Sequence, residues 1–159
     1  MLNWKRAAEI AMCAALFAGC ASMGSSMAPA DIVKERQAGM KAIAKASGAM
    51  KSSLAASPAD PAAIKAAAVT LSTSFDRIHT WWPESTKGEP MTKSKPEIWT
   101  NKAGFKVQVD GVRAASRKLG VAAKGNDVAA IKTAYEQVTP FCGSCHGAFR
   151  INPTPPAKK

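Results

Sequence analysis

The sequence is short of acidic residues, of aromatics and of cysteines, and each shortage excludes something. Among its 159 residues Asp and Glu total 11 against 22 Lys and Arg, a formal charge of +11. That imbalance speaks of anionic partners or surfaces rather than of fold. Aromatics make up only 6%, while alanine is abundant. Such a mix is poor material for strands, which favour β-branched and aromatic side chains, and good material for helices. Four cysteines are too few for a disulfide-dense mini-protein. Collagen, coiled-coil fibres and multi-span membrane proteins are excluded by composition and by the shortness of the apolar runs. What is there is a globular composition, 47% hydrophobic and 21% charged, in a chain long enough for one domain with one core.

The N-terminus reads as an export signal. Lys5 and Arg6 precede an apolar run from Ile10 to Gly19, interrupted at its edge only by Glu9, and then small residues from Cys20 to Ser26. The run is too short to span a bilayer. Leu16-Phe17-Ala18-Gly19-Cys20 resembles a bacterial lipobox, with Phe17 where Leu is usual, so residues 1–19 form one expected leader and Cys20 a lipid anchor. Cleavage after Ala28-Pro29-Ala30 is the alternative and gives a soluble form with a leader of residues 1–30. Both place the mature chain in the periplasm. There an unpaired thiol needs an explanation, and after processing only Cys142 and Cys145 need one.

Four periodic segments follow over residues 31–150, separated by Pro and Gly. The first, from Asp31 as N-cap to Ala56, aligns Ile32, Arg36, Met40, Ile43, Met50 and Leu54. The second opens with Asp60 and Pro61 and aligns Ile64, Ala68, Leu71, Phe75, Ile78 and Trp82. A polar loop runs from Pro83 to Lys95. The third segment begins at Pro96-Glu97 and aligns Ile98, Phe105, Val109, Val112, Ser116 and Leu119. The fourth begins near Asn126 as cap and aligns Val128, Ile131, Tyr135, Val138, Cys142, Cys145 and Phe149. Pro140 predicts a kink in it, because proline lacks the backbone donor and crowds the preceding turn. The Pro-rich tail, residues 151–159, is expected to be disordered. Four amphipathic helices without strand signals predict an all-α fold, a four-helix up-down-up-down antiparallel bundle.

Cys142-Gly143-Ser144-Cys145-His146 is a C-x-x-C-H motif, the attachment signature of c-type haem. Two thiols three residues apart share a helix face and each can add to a haem vinyl group, while the next imidazole binds iron from the proximal side. Attachment also accounts for both thiols in an oxidising compartment. Three other readings of the motif exist. A thioredoxin-like pair needs a strand-helix-strand context, which is absent. A structural zinc site needs four ligands, and only His79 is left to assist His146. A tight disulfide is the third.

With these residues in view, the sequence resembles the class II c-type cytochromes, the cytochrome c prime family. The run Cys142 to Arg150, with an aromatic-Arg pair after the histidine, is similar to the family's haem-binding end. Lys95-Pro96-Glu97-Ile98-Trp99 with Gly104-Phe105 is similar to the start of its third helix, and Arg36-Gln37-Ala38-Gly39-Met40 to its first. The resemblance implies one covalent haem held by Cys142 and Cys145, with His146 on iron and Arg36 and Arg150 beside the haem. It implies that the residue at position 40 faces the distal side. An apolar blocker there leaves five-coordinate iron that binds NO and CO, whereas Met40 implies a thioether ligand. Arg36 and Met40 lie four apart on one helix face, so Arg36 can pair with a haem propionate while the Met40 sulfur reaches iron. A buried methionine is otherwise a core filler. Met50 lies nearly three turns away, Met91 lies in a loop, and His79 falls off the main stripe of its helix.

The expected function is therefore an exported monohaem electron carrier, not an enzyme, because no acid-base constellation surrounds the motif. A gas-binding cytochrome is the alternative, and a haem-free thiol-redox or structural bundle the remaining one. The cationic surface predicts an acidic redox partner or an anionic membrane surface. It lacks the aromatic-interleaved Arg clusters and modules of nucleic-acid binding. Antiparallel homodimerisation through the first two helices is common in the family.

Overall fold

A computed structural model describes residues 27–151. The leader with Cys20 and the end of the tail lie outside the described residues. Among the described residues there are five α-helices: α1 (Pro29–Ala55), α2 (Pro61–Arg77), α3 (Glu97–Thr100), α4 (Lys102–Ala122) and α5 (Val128–Phe149). The four long ones form the predicted bundle. Helix α1 packs on α2, α2 on α4, and α4 on α5. Tyr135 Oη and Ser47 Oγ, 2.5 Å apart, tie α5 to α1.

The boundaries follow from caps. Asp60 accepts from the N–H groups of Ala62 and Ala63, with Pro61 opening α2. The cap of α5 is Asp127 and not its neighbour Asn126. Its Oδ1 accepts from Ala129 N at 2.8 Å and Ala130 N at 3.1 Å. Asp127→Ala should cost about 1 kcal/mol, read as a drop of a few degrees in the thermal midpoint by far-UV circular dichroism.

Helix α1 departs from the expected start. Its N-cap is Ala28 and Pro29 is its first residue, so Asp31 sits in the first turn and pairs with Lys34 instead of capping. Cleavage after Ala30 would thus remove two helical residues. The inward residue near its start is Val33 rather than Ile32, and Met40 and Leu54 are half-buried.

The expected third helix is two. Asn101 leaves helical geometry, at φ −111° and ψ 58°, and its side chain accepts from Gly104 N to start α4. An Asn side chain competes with the helix for backbone donors, which is why it caps rather than continues. At Pro140 the reverse holds: α5 runs through it unbroken. Pro140 has no N–H for the Glu136 carbonyl, and the Thr139 hydroxyl donates to that carbonyl instead, at 3.2 Å.

The core joins Ile43, Met50, Ile64, Leu71, Phe75, Val109, Val112, Leu119, Ile131 and Val138 across all four long helices. A smaller cluster of Ile98, Trp99 and Phe149 closes the end where α5 finishes. There the loop after α2 is pinned to α5. Lys95 N donates to Phe149 O and Ile151 N to Lys93 O, both at 2.9 Å. Tryptophans 81, 82 and 99 all fall at this end, as packing residues.

Candidate functional site

Near this end the bundle forms a small, partly open pocket of about 40 Å³. Met40 and Ile43 reach it from α1, Phe75 from α2, and Ile78 from the turn that follows. Helix α4 contributes Gln108, Val109 and Val112, and α5 contributes Phe141, Cys142, Cys145 and His146. The three motif residues stand at i, i+3 and i+4, so one face of α5 presents two thiols and an imidazole together. No acidic residue lines the cavity.

The chemistry of these groups suits haem attachment. Both thiols are free and half-buried. Burial pushes each thiol upward from its ordinary pKa, and for Cys145 the neighbouring Cys142 adds to the effect. A dithiol oxidoreductase needs the opposite, a depressed pKa that yields thiolate. His146 is pushed down by burial and then by the nearby positive charge of Arg150. Its imidazole is thereby kept neutral, the form that binds a metal. Two thiols, a neutral imidazole and aliphatic walls fit a covalently attached haem. Cys142 and Cys145 would hold it and His146 would ligate its iron.

Of the other expected site residues, Met40 lines this pocket from α1. Arg36 and Arg150 are not on its lining. Arg36 shares a helix with Met40, but its guanidinium turns to the loop, donating to Trp81 O at 3.1 Å and to Thr92 Oγ1 at 2.7 Å. It also lies 5.4 Å from the Trp82 ring centroid, in range of a cation–π contact. Arg150 is exposed and caps α5, its N–H donating to His146 O. His79 is exposed and belongs to a second groove of about 530 Å³ with Trp82 and Arg113, so it does not share the pocket with His146.

Two positions at the site escaped the periodicity. Phe141, the residue before the motif, seats its ring against Gly111 of α4, where a Cβ would lie 2.3 Å from Phe141 Cε1. Ser144, inside the motif, donates to Gln108 Oε1 at 2.6 Å. Together they lock α5 against α4 at the attachment site. A glycine in a helical stripe was the available signal, since glycine weakens helices and is kept where another group must approach. Gly111→Ala would gain about 1 kcal/mol of helix propensity but overpack Phe141 at about 1–3 kcal/mol. We expect a net loss of about 1 kcal/mol in urea unfolding, suppressed in a variant that also carries Phe141→Ala.

Comparison with known proteins agrees with this geometry. A family model described as Cytochrome C' matches residues 31–150. Cytochrome c-556 of Agrobacterium fabrum (strain C58 / ATCC 33970) is 32% identical over 145 residues, spanning 87% of this chain and 92% of that one. Cytochrome c' of Rubrivivax gelatinosus is 30% identical over 124 residues, spanning 77% of this chain and 95% of that one. Its crystal structure superposes with a TM-score of 0.72, at 30% identity, over 78% of this chain and 98% of the other. A ferrous variant of cytochrome c prime from Alcaligenes xylosoxidans, solved with bound NO, gives 0.68 at 28% identity, over 80% and 99%. With thiols, imidazole and cavity in the same place as the matched region, the chain belongs to the cytochrome c' family, class II c-type cytochromes that carry one covalently attached haem.

Proposed function

We propose that the protein is an exported electron carrier in which Cys142 and Cys145 would hold a haem and His146 and Met40 would both ligate its iron. One observation carries this reading: Met40 on α1 and His146 on α5 line the same cavity. When bound, the haem supplies a reversible one-electron couple, and a thioether ligand raises its potential. Cys142 and Cys145 anchor it, His146 stays neutral through burial, and Ile43, Phe75, Val109 and Val112 keep water from the cavity. On the surface Lys41, Lys45 and Lys93 are exposed and form no ion pair among the described residues. They would steer an acidic redox partner or an anionic membrane. The basic leader argues for the periplasm, soluble or anchored through Cys20. Among the described residues no helix is long and apolar enough to cross a membrane.

A second reading is a five-coordinate gas binder, with Met40 off the iron. The comparisons lend it the greater support. Solved variants of a relative from Alcaligenes xylosoxidans carry bound NO and CO. The visible spectrum of the purified protein separates the two. Sharp low-spin bands with a sulfur-to-iron charge-transfer band support the first reading. A broad high-spin spectrum with CO uptake on reduction sinks it in favour of the second.

A further inference from the structure

The four long helices stand in a ring, and of its seams the one between α1 and α5 is the most loosely packed. Its fixed point is the pair Tyr135 Oη and Ser47 Oγ. That contact marks the strip of α1 that looks at α5. Met40, Ala44, Ser47 and Lys51 are spaced by four, three and four, so they share the strip. Toward the motif the seam opens. Ala44 is exposed although it lies on this strip, and Cys142, which lines the pocket with Met40, is only half-buried. Burial pushes the Cys142 thiol up, and Lys51 lies near enough for its charge to oppose that push. Lys41 and Lys45 follow Met40 and Ala44 directly and are exposed, as is Lys51. None of the three forms an ion pair among the described residues. The sequence supplies no acid to meet them: none lies between Glu35 and Asp60, and α5 has only Glu136, which faces Lys132. The opening in the bundle therefore carries uncompensated positive charge on its α1 rim.

We propose that electrons enter and leave through the α1–α5 seam beside Cys142, and that the protein partner seated there presents an acidic face to Lys41, Lys45 and Lys51. The proposal rests on the electron-carrier reading above and adds to it the place of exchange and the chemistry of the partner. The other three seams are filled by packed side chains, whereas attachment at Cys142 sets the haem beside this one. Charges on the rim of an interface act chiefly on the rate of encounter and on its salt dependence. Exposed lysines without a counter-charge are suited to that task. The step itself moves one electron and neither a bond nor a proton: the reduced holoprotein loses an electron and its oxidant gains it.

The experiment compares two triple variants of the holoprotein that lose the same charge. One carries Lys41→Gln, Lys45→Gln and Lys51→Gln. The other carries Lys65→Gln, Lys118→Gln and Lys124→Gln, on α2, α4 and the turn after α4. Stopped-flow oxidation of the reduced protein by ferricyanide, an anionic probe that becomes ferrocyanide, should slow about tenfold at low salt in the seam variant. The control should stay close to the wild type, and the gap should close at high salt, where screening is complete within a few ångströms. A second readout needs no electron transfer. Amide resonances of residues 41–51 should move when polyglutamate is added to the wild type, and those of residues 118–125 should not. Equal slowing in both variants, or shifts spread evenly over the surface, overturns the proposal, because net charge alone would then be acting. Wild-type oxidation rates in a seam variant that no longer binds phosphatidylglycerol vesicles assign the face to a membrane and overturn it too. A wild type without the haem adduct by mass overturns the haem reading beneath it, a failure distinct from the others. Should the seam variant fail to fold, the polyglutamate map of the wild type decides.

Discussion

Replacing Cys142 and Cys145 together by serine should abolish covalent haem and leave a bundle that is folded only in part. Serine is nearly isosteric with cysteine, so the side chains themselves account for little. The loss comes from the cavity they serve. Ile43, Phe75, Val109 and Val112 line the pocket beside the motif, and without the haem they lose the apolar surface they would pack against. Opening a core by a single large-to-small substitution costs about 2–5 kcal/mol, and losing a haem-sized apolar partner should cost at least as much. A domain of this size has about 5–15 kcal/mol in total, and anything that binds only the native state contributes directly to that margin. Mass spectrometry should show the bare polypeptide, and urea unfolding a midpoint far below the parent's. A double variant that kept haem through acid-acetone extraction, or unfolded like the parent, would show that the thiols are not the attachment points.

The architecture was legible because spacing and side-chain type agreed along most of the chain. In α4 and α5 every residue that the heptad steps name from Val109 to Leu119 and from Ile131 to Val138 is buried, with Ala115 and Ala134 buried besides. The attachment motif was legible because C-x-x-C-H fixes its own geometry on any helix. Single-residue competitions at the ends of elements were not. Asp127 outbid Asn126 as cap because its side chain reaches two N–H groups. Asn101 split the third helix because its side chain satisfied Gly104 N locally. α5 continues through Pro140 because Thr139, one residue earlier, serves the stranded carbonyl.

The site shows the same division. Met40 and the motif residues come together as their helical register predicts. Arg36 does not join them, although it lies on the same face four residues before Met40. Periodicity fixes where a Cβ points, whereas a long guanidinium follows its acceptors. Those acceptors, Trp81 O and Thr92 Oγ1, lie 45 and 56 residues away in sequence. Only the folded chain could place them.

Met40→Leu carries the widest functional consequence. Met40 is half-buried, lines the cavity that also holds His146, and packs against the core. Leucine has nearly its volume, so folding should survive at a cost of about 1 kcal/mol. What leucine lacks is the sulfur. If the thioether occupies the sixth position, its removal leaves the iron with His146 alone among protein ligands. The low-spin spectrum and the sulfur-to-iron charge-transfer band should disappear. The potential should fall, because a thioether ligand to iron would raise it. The reduced variant should bind CO and NO that the parent binds only weakly, bringing it into line with the relatives solved with those gases. The measurement is a matched pair: visible spectra and CO titrations of ferrous parent and variant. An unchanged spectrum, potential and gas affinity would make Met40 a packing residue of a protein whose distal face was open from the start, and the gas-binding reading would then hold.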